Sequence, residues 1–288
     1  MEHPTPGDLD DKTLSRLLAQ VYRYTGITMA KNRGTMLQSR LRPRMRVLGL
    51  QEYSKYVDYL EGHPGEVPTF VDLITTNETY FYRTPRIWEY FSKTFLPEWG
   101  QKDLGRTLKI WSAAASSGEE AYTIAMLCQE FRERKAGFQY SVTGTDISCE
   151  ILATAKEGRY SGRPIDLLKI AQPDLFQKYL KEDGSVFRVC DELRARVEFK
   201  QHNLFETLKL KERFDIVFFR NVLIYFVAFD QERVLRQARQ VMTPEATLII
   251  GESESLNSLN VPFSYVAPLI YTIKIESQST VPPVQAAA

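Results

Sequence analysis

Residues 110–122, IWSAAASSGEEAY, constrain this chain more than any other stretch. A short apolar strand begun at Leu108 passes through a loop with no side chain larger than serine and enters a helix. In a doubly wound parallel sheet, ligands bind outside the carboxyl ends of the strands, and the first strand-loop-helix turn is the usual place. The run from Ala113 to Gly118 would let a ligand lie close to the backbone. Turns of this composition are common before helices, so the stretch gains meaning only from its surroundings.

The surroundings repeat the strand-helix alternation. A helix from Gly118 to about Arg134 is followed by FQYSVTGTDIS, a β-rich run ending at Thr145 and Asp146. A carboxylate at the end of the second strand is where nucleoside-binding folds place the acceptor for ribose hydroxyls. FDIVFF, residues 214–219, is the most hydrophobic strand, and Arg220 and Asn221 follow it at once, on the end of the sheet where the small-residue loop lies. A helix over about 229–242, the strand of ATLIIGESESL ending at Gly251, and the β-rich SYVAPLIYTIKI close the pattern. Between Tyr160 and Lys200 the alternation is interrupted, and SVFRV with RVEFKQ reads as short antiparallel strands, predicting an inserted β-subdomain over about 185–200 on one edge of the sheet.

Ahead of this domain, residues 10–76 read as all-helical. Leu14, Leu17, Leu18, Val21 and Tyr22 recur at helical spacing behind Asp10 and Asp11. The next stretch, 31–46, carries Lys31, Arg33, Arg40, Arg42, Arg44 and Arg46 without one acid, opposite an apolar face of Met36, Leu37, Leu41 and Met45. Like charges so close repel unless something offsets them, which points to a docking face for an acidic partner, with a merely solvated face as the alternative. NETYFYR, residues 77–83, and a helix over Pro85 to about Glu98 link the two units. The predicted boundaries are a flexible start over 1–9, the helical domain 10–76, the linker and helix 77–98, an α/β domain over 99–275 and a low-complexity tail over 276–288.

Composition narrows the function. A chain of 288 residues with 43% hydrophobic content can bury a full core. It shows neither an apolar run long enough for a membrane span nor the opening of a signal peptide, so a cytoplasmic location is the expectation. Cys128, Cys149 and Cys190 are scattered and no histidine stands at metal-ligand spacing, so no metal is expected. A net charge of +1 gives little affinity for nucleic acid.

A small-residue loop, a second-strand acid and polar strand ends describe a nucleoside site, yet the phosphate-binding G-x-x-x-x-G-K-[ST] and G-x-G-x-x-G runs are missing. Adenosine without phosphate, as in S-adenosylmethionine, fits best. With NETYFYR, WSAAASSGEEAYTIAM, TGTDIS followed by AKEGRY, HNL at 202–204, FFRNVLIYF and GESESL in this order, the chain resembles the CheR-type chemotaxis receptor methyltransferases from about residue 10 to 275. The resemblance implies a class I methyltransferase domain, doubly wound and Rossmann-like, with a helical N-terminal domain and an inserted antiparallel β-subdomain. It also implies transfer of a methyl group from S-adenosylmethionine to glutamate side chains of chemoreceptors, leaving S-adenosylhomocysteine.

Carried over by motif, Asn77, Thr79 and Arg83 would border the cofactor and the reacting methyl. Ala113 and the Gly118-Glu119-Glu120 turn would hold the methionine or ribose end, with the choice between the two glutamates open. Asp146 with Ile147 would bind the ribose, Asn203 with Leu204 would flank the adenine, and Asn221 with Val222 would line the strand end. Arg83 and Tyr225 would position the substrate carboxylate. Departures are mild: Tyr82 stands where Phe is frequent, Ala114 and Ala115 where Gly and Cys are, and Phe219 where Cys is usual. The implied partners are the receptor's helical bundle, docked by the basic helix 31–46, and a receptor C-terminal peptide at the β-subdomain; a monomer is the expectation. The rival reading is a cofactor-binding regulatory module of the same fold outside chemotaxis. A nucleic-acid methyltransferase is disfavoured, since there is no N-P-P-Y-like strand end and no nucleophilic cysteine motif.

Overall fold

The computed structural model describes residues 9–274 apart from 103 and 210–212. The tail expected over 276–288, and all but the last residue of the flexible start expected over 1–9, lie outside the described residues. The elements are α1 (Asp11–Thr25), α2 (Gly34–Val47), α3 (Tyr53–Gly62), α4 (Val67–Ile74), α5 (Pro85–Tyr90), α6 (Leu96–Gln101), β1 (Leu108–Ala113), α7 (Glu119–Arg134), β2 (Tyr140–Asp146), α8 (Cys149–Glu157), β3 (Arg159–Tyr160), α9 (Arg163–Ala171), α10 (Pro173–Tyr179), β4 (Leu180–Asp183), β5 (Val186–Val189), α11 (Asp191–Arg194), β6 (Val197–Gln201), β7 (Phe214–Phe219), α12 (Ala228–Gln240), β8 (Met242–Ile250), β9 (Phe263–Ala267) and β10 (Ile270–Ile273).

Helices α1–α4 have a core of their own. Asp10 caps α1 by accepting from the Thr13 amide at 2.9 Å, and Gly26 ends it in the left-handed region at φ 71°. Leu17, Val21, Leu37, Leu41, Met45, Tyr56 and Phe70 are sealed from solvent between the helices. Each fully buried side chain of this kind stabilises the domain by about 1.5–3 kcal/mol. The basic helix contributes to this domain from within. Arg44 makes a two-pronged ion pair with buried Glu66 at 3.0 and 2.6 Å, and Tyr56 donates to the same carboxylate at 3.1 Å.

The larger domain is a sheet in the order β6-β2-β1-β7-β8-β10-β9, parallel from β6 to β8, with β10 antiparallel to both of its neighbours. Strand order reverses between β1 and β7, which opens a crevice at their carboxyl ends. Every residue of β7 is buried, as expected of a parallel strand covered on both faces. The path from α5 to α6 is helical throughout, with a π-helical turn at Phe91–Phe95 that lays Trp88 and Phe91 against Phe218 of β7 at 5.5 and 5.4 Å between rings.

The inserted subdomain differs from the expected bounds of about 185–200. Its sheet is β3-β5-β4, so it draws on residues 159–160, 180–183 and 186–189. RVEFKQ instead supplies β6, which pairs parallel to β2 from Val197 to Gln201. An alternating, half-buried strand suits the edge of a large sheet as well as a hairpin, and pattern alone does not separate the two.

Candidate functional site

At the carboxyl ends of β1 and β7 lies a cavity of about 320 Å³. An apolar recess of about 50 Å³ adjoins it and shares Ile27, Ala114, Asp146, Ile147, Val222 and Tyr225 with it. Among the expected residues, Asn77, Thr79, Arg83, Glu120, Asp146, Ile147, Asn221, Val222 and Tyr225 line the cavity, and Asn203 and Leu204 line the recess.

Ala113, Gly118 and Glu119, also expected at the cofactor, do not line it. Ala113 is the last residue of β1 and faces the core; Ala114, at φ 57°, turns into the cavity in its place. Gly118 is needed for packing: φ is 96°, and a Cβ there would meet the Cβ of Ala155 at 2.9 Å. Glu119 is 2% exposed and accepts from the Ser117 hydroxyl at 2.6 Å, and burial pushes its carboxyl up. Glu120 is therefore the glutamate at the cavity.

Asp146 holds the loop from beneath. Its Oδ2 accepts from the Ser116 amide at 2.9 Å and its Oδ1 from the Ser148 amide at 3.1 Å. Burial raises its pKa against the pull of these amides. The Ser116 hydroxyl donates to the carbonyl of Asn77 at 2.9 Å, so the linker is pinned to the loop.

Arg83 sits between Tyr82 and Thr84, at φ 59° and 65°. Its carbonyl accepts from Trp88 Nε1 and from Arg220 Nη2, each at 2.8 Å, and its side chain reaches back to the Glu78 carbonyl at 3.3 Å. Among the described residues, non-glycine positive φ occurs at Tyr82, Thr84, Ala114, Ser116, Asn221 and Leu269, and all but the last belong to segments that line or flank the cavity. Such backbone costs about 1–3 kcal/mol per residue and persists where the surroundings over-determine it.

Two groups not assigned from sequence do that work. Arg220, 4% exposed, donates to Glu120 Oε2 at 2.7 Å as well as to Arg83, while the Ser112 hydroxyl holds Glu120 Oε1 at 2.8 Å. Glu254 accepts from the amides of Asn221, Val222, Leu223 and Gly251 at 2.6–3.0 Å, which fixes the strand end at Asn221. Gly251 permits this approach, since a Cβ there would stand 2.8 Å from the Asn221 nitrogen. Burial raises the pKa of Glu254, opposed by the four amides.

The helical domain closes one side. Ile27 lines both cavity and recess and Met29 lines the cavity. The Thr28 amide donates to the Tyr225 carbonyl at 3.0 Å, and Asn203 Nδ2 donates to the Tyr24 carbonyl at 3.1 Å. Arg40 donates to the carbonyls of Ile74 and Thr75 at 2.8 and 2.7 Å and so supports another stretch of the wall. Thus Arg40 and Arg44, expected on the docking face, are engaged within the protein; Lys31, Arg33, Arg42 and Arg46 make no side-chain hydrogen bond or ion pair among the described residues. His202 lines the recess with its Nε2 at 3.1 Å from the Glu206 carbonyl, and burial pushes its pKa down against the pull of that carbonyl.

The cavity fits an adenosyl sulfonium ligand. The recess, walled by Ile147, Leu204, Val222 and Phe226, offers an apolar slot to the edge of an adenine ring entering from the cavity, and buried Asp146 at the junction offers a carboxylate within reach of ribose hydroxyls. Glu120 and Asn221 line the cavity but not the recess. Among the described residues no group of three His, Cys, Asp or Glu could hold a metal ion, and no helix is long and apolar enough to cross a membrane.

The family profile "CheR methyltransferase, SAM binding domain" matches residues 77–270, and "CheR methyltransferase, all-alpha domain" matches residues 12–75. The chain is 34% identical over 267 residues to a chemotaxis protein methyltransferase of Borreliella burgdorferi, covering 90% of this chain and 93% of that one. It is 33% identical over 273 residues to one of Salmonella typhimurium, covering 92% and 91%. With one of Vibrio anguillarum the identity is 34% over 278 residues, covering 94% and 98%. On these matches, and on a cavity shaped for an adenosyl cofactor at the sheet's switch point, the chain belongs to the CheR methyltransferase family.

Proposed function

We propose that this protein methylates glutamate side chains of bacterial chemoreceptors, yielding glutamate methyl esters for sensory adaptation. The observation that carries this reading is the pairing of Arg83 and Tyr225 in the same cavity as Glu120, Asp146 and Asn221. A silent cofactor-binding module has no use for a cationic side chain held on strained backbone there.

When bound, S-adenosylmethionine supplies an electrophilic methyl on a sulfonium. An acceptor glutamate, with an ordinary pKa of about 4.3, is already ionised near neutral pH, so no residue has to remove a proton. Carboxylate and sulfonium lose charge together in the transition state, which leaves the protein the tasks of in-line positioning and water exclusion. Arg83 and Tyr225 orient the carboxylate; Arg83 must do so without stabilising the ground state more than the transition state. Asp146 holds the ribose end, Asn77 and Thr79 border the cofactor near the reacting methyl, and Asn203 with Leu204 flank the adenine, the Asn203 amide acting through the loop it ties.

The basic helix takes part through Lys31, Arg33, Arg42 and Arg46, which steer an acidic receptor surface toward the mouth. The exposed backbone edge of the small sheet is assigned to a receptor C-terminal segment by strand addition. The test is transfer of labelled methyl groups to receptor-containing membranes, released as methanol by alkali. Labelled ester that appears with this protein and not with its Arg83→Ala variant supports the reading. Counts that resist alkali would mean another acceptor chemistry.

A further inference from the structure

One side of the cavity mouth is apolar. Ile224 lines the cavity while 50% of it stays exposed, and Val227 and Phe229 follow at 46% and 74% exposed. Gln231 Nε2 donates to the carbonyls of Leu223 and Phe226, both at 3.0 Å, folding the first turn of α12 back on the 3₁₀ turn Leu223–Tyr225. Ile224, Val227 and Phe229 therefore stand exposed on one tied corner. Tyr22 of α1, 46% exposed, joins this edge because its hydroxyl donates to Oδ2 of Asp230, the neighbour of Phe229, at 3.0 Å. Elsewhere on the rim, cavity-lining Met29 leads directly to exposed Lys31 and Arg33.

Single exposed apolar residues are ordinary, but several large ones together mark an interaction site. The occupant follows from reach. A glutamate carboxylate stands only about 5 Å from its own Cα, with bonds of about 1.5 Å, so a protein acceptor must lay its backbone against the mouth. We infer that the corner Ile224–Phe229, with Tyr22, docks apolar residues flanking the acceptor glutamate on the receptor, while Lys31 and Arg33 meet its acidic side. This rests on the receptor reading above. It adds that the substrate segment has two faces, and that recognition extends onto the catalytic domain.

The test is a Val227→Ser/Phe229→Ser double variant of the full chain, since neither residue lines the cavity. Receptor-containing membranes from a source strain lacking its own methyltransferase serve as substrate. The apparent KM for these membranes should rise about tenfold or more, the size expected when apolar anchors are truncated, with kcat and S-adenosylhomocysteine affinity unchanged within about twofold. Equal KM in both proteins overturns the inference, and so does a parallel loss of S-adenosylhomocysteine affinity, which would make the corner a support of the pocket. Co-sedimentation with the same membranes reads docking without catalysis. A drop of about fivefold in the variant supports the inference, and equal sedimentation overturns it even if the unsubstituted chain methylates nothing. That last outcome in the transfer assay would remove the receptor reading separately.

Discussion

Arg220, itself buried, forms an ion pair at 2.7 Å with Glu120 in the lining of the cavity, and the second guanidinium nitrogen of Arg220 holds the carbonyl of Arg83. One side chain thus joins the end of β7, the first turn of α7 and the linker that carries Arg83. The pair is worth most as geometry, since removing one partner of a buried pair leaves an uncompensated charge.

Replacing Arg220 with Met is expected to cost about 3–5 kcal/mol of stability and to weaken S-adenosylhomocysteine binding. Urea unfolding with and without the ligand reads both. Unchanged stability would mean that Glu120 finds another partner.

Arg83→Ala should act differently. Its carbonyl anchors remain, so ligand affinity should stay within about threefold while methyl transfer falls by about two orders of magnitude or more. Equal losses in calorimetric affinity and in kcat would contradict the positioning role.

Asp146 gives a pH signature. Its folded pKa is raised, so in the free protein its contribution to stability is fully present below the unfolded value of 3.8 and is lost as pH rises through the raised folded value. On the reading that ribose hydroxyls donate to the ionised form of Asp146, ligand affinity should move the other way, declining on acidification before an ordinary aspartate would titrate. Asp146→Asn should lose about 1.5–3 kcal/mol of binding at neutral pH and the pH slope with it. A wild-type affinity independent of pH over this range would count against the contact.

Arg44→Ala should destabilise the helical domain by about 3–5 kcal/mol, because Glu66 is left buried without its cation. An Arg42→Glu/Arg46→Glu double variant should keep its stability within about 1 kcal/mol, yet methylate receptors less at low salt than at high salt relative to wild type. Charge reversal at Arg40 or Arg44 would confuse these effects. If the Arg42/Arg46 variant follows wild type at every salt concentration, the basic face does not steer.

Much of this architecture is legible in the amino-acid sequence. β7 is apolar at every position but Asp215 because a parallel strand is covered on both faces, and Asp146 stands at the carboxyl end of the parallel strand β2. What was lost is phase. One residue decides whether Ala113 or Ala114 turns out of β1, and successive residues of α7 differ by about 100° around the axis, which separates Glu119 from Glu120. Tertiary reach was hidden too. Glu254 serves amides 31–33 residues away in sequence, and Arg40 and Arg44 find partners 22–35 residues away, contacts that no local pattern encodes. The positive φ at Tyr82 and Thr84 left no glycine to announce it.

The stretch from Tyr24 to Met29 has a thermodynamic corollary. It belongs to the helical domain, yet it supplies Ile27 and Met29 to the cavity and is tied to Asn203 and Tyr225 of the other domain. A ligand seated there touches both domains at once, so its binding free energy is linked to the contacts that join them. Occupancy and inter-domain cohesion in this protein are two readings of one equilibrium.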